Sequence, residues 1–369
     1  MSSKVLSSLR VVEISGLGPG PFCAMHLADL GADVISVGRD TPNEKGPSIL
    51  NRGKRSVTAD LKTPEGRELV LALIENADVL IEGMRPGVME RLGLGPAQCH
   101  ARNPKLVYGR MTGWGQTGPL AHAAGHDNNY ISVSGALWPS SPAGQPPVTP
   151  FTLVGDIGGG AMYLAIGLLS GVLQARISGK GTVVDAAIVD GSAHMMNLML
   201  KARASGLISD VRGQSIHDST PFYETYVCAD GAHITIGSIE PQFYAMLLER
   251  LNLQDDPDFK APQWDRSTWP VRRRRLAQIF LQRTREQWQQ DFEGTDICFG
   301  AVLSPLEASK HPHNQARGIY LEQDGMLQAA PAPRFDGVAY APGKQSCNGE
   351  QTQEVLQTLA LKGNAAVWR

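Results

Sequence analysis

A chain of 369 residues with 42% hydrophobic and 19% charged side chains and 40 glycines has room for two domains and a sizeable core, and this composition excludes a disordered or fibrous protein. A formal net charge of −2 supplies no long-range field to gather nucleic acid or an anionic membrane, so any anionic ligand must be held by local cations.

Residues 10–15 (RVVEIS) read as a short strand, followed by a Gly/Pro turn and a helix over 21–30 with proline in its first turn. Residues 32–37 (ADVISV) form the next strand, Thr63-Pro-Glu-Gly opens a capped helix through about 76, and 77–81 and 105–111 are strands. An apolar helix runs over 156–177, then a strand over 182–189 and a Met-rich helix near 193–204, whose methionines read as core filler. This alternation predicts an α/β fold with a doubly wound, mostly parallel, Rossmann-like sheet in a large domain. After Ser205 the texture changes. Residues 201–220 read as a polar linker, 222–227 and 233–236 as an antiparallel hairpin around Asp230-Gly231, and 242–251 and 271–292 as helical. The large domain is therefore expected over 1–200 with 325–369, and a smaller α+β domain over 221–322. The basic run Arg272 to Arg275, beside an apolar stripe of Leu276, Ile279 and Phe280, reads as a solvated helix face.

The turn Gly16-Leu-Gly18-Pro-Gly20-Pro21 has the strand-to-helix setting of a dinucleotide fingerprint but fails its pattern, because the third glycine falls one residue early and two prolines remove amide donors. Arg39, at the end of the second strand, suits a phosphorylated ribose better, as in coenzyme A. Asn51-Arg52-Gly53-Lys54-Arg55 gathers three cations around a glycine, and Gly83-Met-Arg85-Pro-Gly87 places one at a helix entry. Together these suggest an anionic, nucleotide-like ligand. Further along, Ala124-Gly-His126-Asp127-Asn-Asn-Tyr130 puts an imidazole in a glycine-flanked loop, where it can titrate near neutrality. Val154-Gly-Asp156-Ile-Gly-Gly-Gly160 puts a carboxylate before three glycines at a helix start, either as an N-cap or as a base beside backbone N–H groups. Glu240 stands just after the hairpin, at the start of another helix. Five cysteines without CxxC or CxxxC spacing (Cys23, Cys99, Cys228, Cys298 and Cys347) argue against a disulfide framework and a zinc site.

The segments Glu13-Ile-Ser-Gly-Leu-Gly-Pro-Gly, Asn51-Arg-Gly-Lys-Arg, Glu82-Gly-Met-Arg-Pro-Gly through Gly95, Met111-Thr-Gly-Trp-Gly-Gln-Thr-Gly-Pro119, Ala124-Gly-His-Asp and Gly155-Asp-Ile-Gly-Gly-Gly resemble family III coenzyme A transferases (the CaiB/BaiF superfamily). Within that family they are most similar to the α-methylacyl-CoA racemases. Matches at Val184-Asp-Ala-Ala, Pro221-Phe-Tyr, Ile239-Glu-Pro-Gln-Phe-Tyr and His311-Pro-His-Asn extend the likeness over nearly the whole chain. Gly38, where the family often has glutamate, and residues 214–220 (QSIHDST) depart from the pattern.

The resemblance implies an interlocked homodimer that racemises 2-methylacyl-CoA thioesters in lipid metabolism, with the large domain binding CoA. It implies His126 and Asp156 as two bases flanking the α-carbon, Glu240 of the other subunit supporting His126, and Asp127 near the thioester carbonyl. Arg39, Arg52, Arg85, Arg91 and Tyr130 are carried over as CoA-binding positions. No metal or cofactor is implied beyond the CoA of the thioester itself. The rival reading is a CoA transferase with Asp156 as nucleophile, and a third is an inert CoA-ester-binding protein. The amino terminus has no long apolar region, no run of about 18 uninterrupted apolar residues occurs, and the final Ala-Val-Trp-Arg is no peroxisomal signal, so a cytoplasmic location with no membrane span is expected.

Overall fold

A computed structural model describes residues 4–40 and 46–368. The chain forms two compact units, the first from residues through Leu137, Thr149–Met196 and Gln315 onward, the second from Trp138–Val148 and Asn197–Asn314. In chain order the first unit contains β1 (Arg10–Ile14), α1 (Pro19–Asp29), β2 (Asp33–Gly38), β3 (Lys54–Thr58), α2 (Pro64–Ile74), β4 (Val79–Glu82), α3 (Val88–Arg91), α4 (Pro96–Arg102), β5 (Val107–Thr112) and α5 (Asp127–Val133). A π-helix (Leu153–Ala161), α6 (Met162–Ser178), β6 (Val183–Ala187) and α7 (Ile188–Met195) complete this part.

The six strands are all parallel, in the order β3-β2-β1-β4-β5-β6. Because side chains alternate across a strand, Val11, Val34, Val79 and Val107 join Leu27 of α1 and Leu164 and Leu168 of α6 on one face. Val12, Ile35, Leu80 and Tyr108 join Val70 and Leu73 of α2, Cys99 of α4, and Val355, Val367 and Trp368 near the carboxy terminus on the other. Burial of both faces is why the central strands β1, β2 and β4 read as largely apolar runs. Strand order reverses between β1 and β4, and in such sheets a crevice opens beyond the strand ends at that point.

Three local features differ from the sequence reading. Residues 51–55 do not form a basic phosphate turn: Lys54 and Arg55 lie inside β3, and each cation is held in a buried or nearly buried ion pair. Lys54 Nζ sits 2.7 Å from Glu13 Oε2, Arg55 Nη2 2.8 Å from Asp33 Oδ2, and Arg52 Nη2 2.6 Å from Asp29 Oδ2. The 156–177 helix begins earlier, at Leu153, and its first nine residues are π-helical, with the Ile157 N–H reaching Thr152 O at 3.0 Å. Helix α7 packs against this wide turn. A Cβ on Gly191 would lie 1.9 Å from the Gly159 carbonyl oxygen, so the two helices touch backbone to backbone where glycine leaves room. Finally, Leu153–Ser178 is long and apolar enough to cross a membrane by length and composition, although Leu164, Leu168, Gly171 and Val172 are buried within this unit.

The second unit holds α8 (Asn197–Ala204), α9 (Ile216–Ser219), β7 (Tyr223–Val227), β8 (His233–Gly237), α10 (Pro241–Arg250), α11 (Trp269–Phe280), α12 (Arg285–Phe292), β9 (Phe299–Ala301), α13 (Pro305–Lys310) and α14 (Pro312–Ala316), the last of which ends across the boundary. Strands β7, β8 and β9 form an antiparallel sheet over an aromatic core of Phe222, Tyr226, Trp269, Phe280, Trp288 and Phe292. The segment 201–220 is not a free linker. It carries α9, the Gly213 N–H donates to Asp218 Oδ2 at 2.6 Å, and Arg212 donates to the carbonyls of Ser140, Ser141, Pro142 and Gln145. The helical stretch 271–292 is broken at 281–284, where the Thr284 N–H and hydroxyl exchange hydrogen bonds with Gln287 to start α12. Arg272 is not solvated: it is fully buried and donates to the carbonyls of Asp258, Ala261 and Pro262. The chain then returns to the first unit through the hairpin β10 (Tyr320–Gln323) and β11 (Met326–Ala329) and the helix α15 (Thr352–Lys362).

Candidate active site

A cleft of about 670 Å³ opens at the reversal point of the large sheet. Its floor is the Gly16 to Pro21 turn after β1, and one wall is the Gly83 to Pro86 turn after β4. The opposite wall comes from Met111 to Trp114 after β5, the 123–126 loop, Tyr130, Phe151, Thr152 and Asp156. The glycine turn that failed as a dinucleotide fingerprint thus serves as a cleft floor. Gly18, at φ +67°, lies directly beneath Asp156, where a Cβ would come to 3.4 Å from Asp156 Oδ2. Glycine is needed there for the left-handed backbone and for the space.

His126 and Asp156 are brought to this one cleft from different elements. His126 is exposed at the entry to α5, its N–H donating to Asn129 Oδ1 at 2.9 Å. Asp156 sits in the first turn of the π-helix and is half-buried. Asp127 joins them: its Oδ1 accepts the Asp156 N–H at 2.7 Å, while its Oδ2 is buried with no hydrogen-bond partner among the described residues. Burial first, and then the charge of Asp127, push the Asp156 carboxyl up to about 6, with His126 pulling the other way. An acid poised there can both take and return a proton near neutral pH.

The remaining residues distribute unevenly. The Tyr130 hydroxyl donates to the Gly125 carbonyl and its ring meets Trp114 edge-on at 4.8 Å, so its polar end is committed to the His126 loop and its ring faces the cleft. Arg85 lines the cleft and is exposed, and Arg91 is exposed with Nη1 reaching over Gly87, at the end of the same turn. Arg39 lines a separate cavity of about 430 Å³ with Asp40, Thr58, Ala59, Asp60 and Lys62. Arg52 leaves the CoA-binding set. It is only 4% exposed, grips both oxygens of Asp29, and donates to Gln328 Oε1 and the Ala329 carbonyl, each at 2.8 Å. Glu240 is exposed at the start of α10, in the second unit. Trp114, Phe151 and Thr152 were not singled out by the sequence reading. Trp114 belongs to the Met111–Pro119 motif, whereas Phe151 and Thr152 follow a proline-rich stretch with no signal of their own.

Residues 6–342 match CoA-transferase family III. The chain belongs to that family. Among its curated relatives, the alpha-methylacyl-CoA racemase of Mus musculus is 40% identical over 357 residues, covering 96% of this chain and 93% of its own. That of Homo sapiens is 40% identical over 364 residues, covering 96% and 94%. Among solved structures, a CaiB/BaiF family protein from Brucella suis superposes with a TM-score of 0.83 at 25% identity, over 97% of this chain and all of that one. The cleft of this family member therefore stands on the family's own fold.

Proposed function

We propose that the protein interconverts the (R) and (S) forms of 2-methylacyl-CoA thioesters. The observation that carries this reading is a single cleft lined by both His126 and Asp156, with the Asp156 carboxyl raised to about 6. One of the two removes the α-proton as the C–H electron pair moves into an enolate, and the conjugate acid of the other delivers a proton to the opposite face. The enolate oxygen is held on the Asp127 side of the cleft, next to the first turn of the π-helix. No metal, nicotinamide or pyridoxal phosphate takes part. Arg85 and Arg91 meet the CoA phosphates, and Arg39 meets the nucleotide end in its own cavity. The working unit is a homodimer acting in the cytoplasm, in which Glu240 of the other subunit supports His126. Side chains on the outer side of α6, Ile166, Leu173 and Ile177, are 65%, 65% and 89% exposed in the single chain and supply apolar surface for that assembly.

A single enantiomer of a 2-methylacyl-CoA incubated in deuterated water is expected to exchange its α-hydrogen and lose optical purity with no acceptor acid present. Transfer of CoA to an added carboxylate without α-exchange would overturn this reading and favour Asp156 as a nucleophile. His126→Ala is expected to slow proton abstraction from one enantiomer more than from the other, measured as separate deuterium-incorporation rates; equal, negligible effects would remove His126 from the chemistry.

A further inference from the structure

The wall of the cleft that carries Arg85 rests on a buried charge cluster with no part in the chemistry above. Glu82, the last residue of β4, is 3% exposed, and its Oε2 accepts the Met84 N–H at 2.7 Å, which folds the chain into the 83–87 turn. Its Oε1 lies 3.9 Å from Arg110 Nε, a buried nitrogen with no hydrogen-bond partner among the described residues. Arg110 projects from β5 and reaches three ways. Its Nη1 donates to Gln116 Oε1 at 2.5 Å, its Nη2 pairs with Glu90 of α3, and its guanidinium lies over the Tyr108 ring. The Gln116 N–H in turn donates to Asp185 Oδ2 of β6. One arginine thus braces the turn after β4, the helix that carries Arg91, and the loop after β5, and both the turn and the loop line the cleft.

We propose that Glu82 and Arg110 are positioning residues that fix the Arg85 turn for CoA, and that the turn is held fully only while Glu82 is ionised. This rests on the reading of the cleft as a CoA-thioester site. An ionised carboxylate holds the Met84 N–H and the Arg110 cation more strongly than a neutral one. The charged and titratable groups facing Glu82 are Arg110 and Tyr108 from β5, Glu90 from α3 and Asp185 from β6. Burial is the largest influence and pushes the carboxyl up to about 7; the Met84 N–H and Arg110 oppose it, and Glu90 and Asp185 add to it. The brace therefore tightens as pH rises through about 7 and slackens below it.

The test is calorimetric binding of coenzyme A itself to the wild-type chain and to Glu82→Gln, which keeps the shape and an acceptor oxygen but cannot ionise. The ratio of the Glu82→Gln dissociation constant to that of the wild type cancels the titration of the ligand phosphates and of the groups common to both proteins. It is expected to rise from near one at about pH 5.5 to about tenfold at about pH 8.5, the factor that one pKa unit of coupling represents. A ratio that stays flat while CoA binds overturns this inference and leaves the functional reading intact. Failure of the wild-type protein to bind CoA at any pH overturns both. Selective 15N-methionine labelling supplies a reading on the unliganded wild type that needs no variant. The Met84 amide resonance is expected to titrate with a midpoint near 7, and a resonance that does not move across that range overturns the proposal.

Discussion

Arg52 shows how far a charged residue can be read from its neighbours. Beside Gly53, Lys54 and Arg55 it has the local look of an anion site, yet its partner Asp29 lies 23 positions away, and only the packing of the turn just before β3 against the end of α1 decides its use. A buried ion pair is expensive to break from one side, so Arg52→Ala is expected to cost about 3–5 kcal/mol in urea unfolding by leaving Asp29 uncompensated. The double replacement of Arg52 and Asp29 by apolar residues should recover much of that loss. Asp156 makes the opposite point. Its glycine-flanked setting was legible, but its acidity was not, because that depends on burial and on Asp127. A carboxyl raised in the folded state to about 6 from an ordinary 3.8 binds its proton more tightly when folded, so it costs the protein stability as pH rises through that window. Asp156→Asn is therefore expected to raise the melting temperature at pH 8, with the gain vanishing toward pH 4; an equal gain at both would show that the side chain acts there by shape and not by charge.

At the scale of elements, the strongly periodic segments were readable to within a few residues, and the exceptions have physical causes. Strand β3 (KRSVT) hid because its apolar signal is only Val57, while Lys54 and Arg55 are buried through ion pairing and Ser56 through hydrogen bonds. The break between α11 and α12 hid because apolar periodicity continues across 281–284 and only the Thr284-Gln287 exchange interrupts it. The π-helix hid because glycine-rich sequence permits a wide turn without requiring it; the contact with α7 is a tertiary event. Gly191→Ala would place a methyl group against the Gly159 carbonyl and is expected to cost about 1–3 kcal/mol while lowering kcat by more than that loss explains, since Asp156 rides on the displaced helix. Arg212 supports a different segment. It gathers four carbonyls of 138–148, the stretch between α5 and the π-helix, so Arg212→Ala is expected to raise amide hydrogen exchange there while leaving the aromatic core of the second unit protected.

For the whole molecule, the α/β class and the presence of a second, antiparallel unit follow from the order of periodic segments, because strand, helix, strand repeats leave few ways to cover a parallel sheet. The excursion of 138–148 into the second unit was not legible, since proline- and serine-rich sequence gives no sign of which body it joins. The proposed homodimer has its test on α6: if it is built on that face, Leu173→Asp with Ile177→Asp is expected to shift sedimentation from dimer to monomer, and to abolish racemisation if Glu240 acts across subunits. The path of the chain also sets an order of assembly. The first unit is left at Met196 and rejoined only at Gln315, and Val355, Val367 and Trp368 cover one face of its sheet. On a ribosome adding about 5–20 residues per second, that face waits roughly ten to thirty seconds for its cover. During that interval this part of the face stays uncovered, so the first unit begun is completed only after the second has been made.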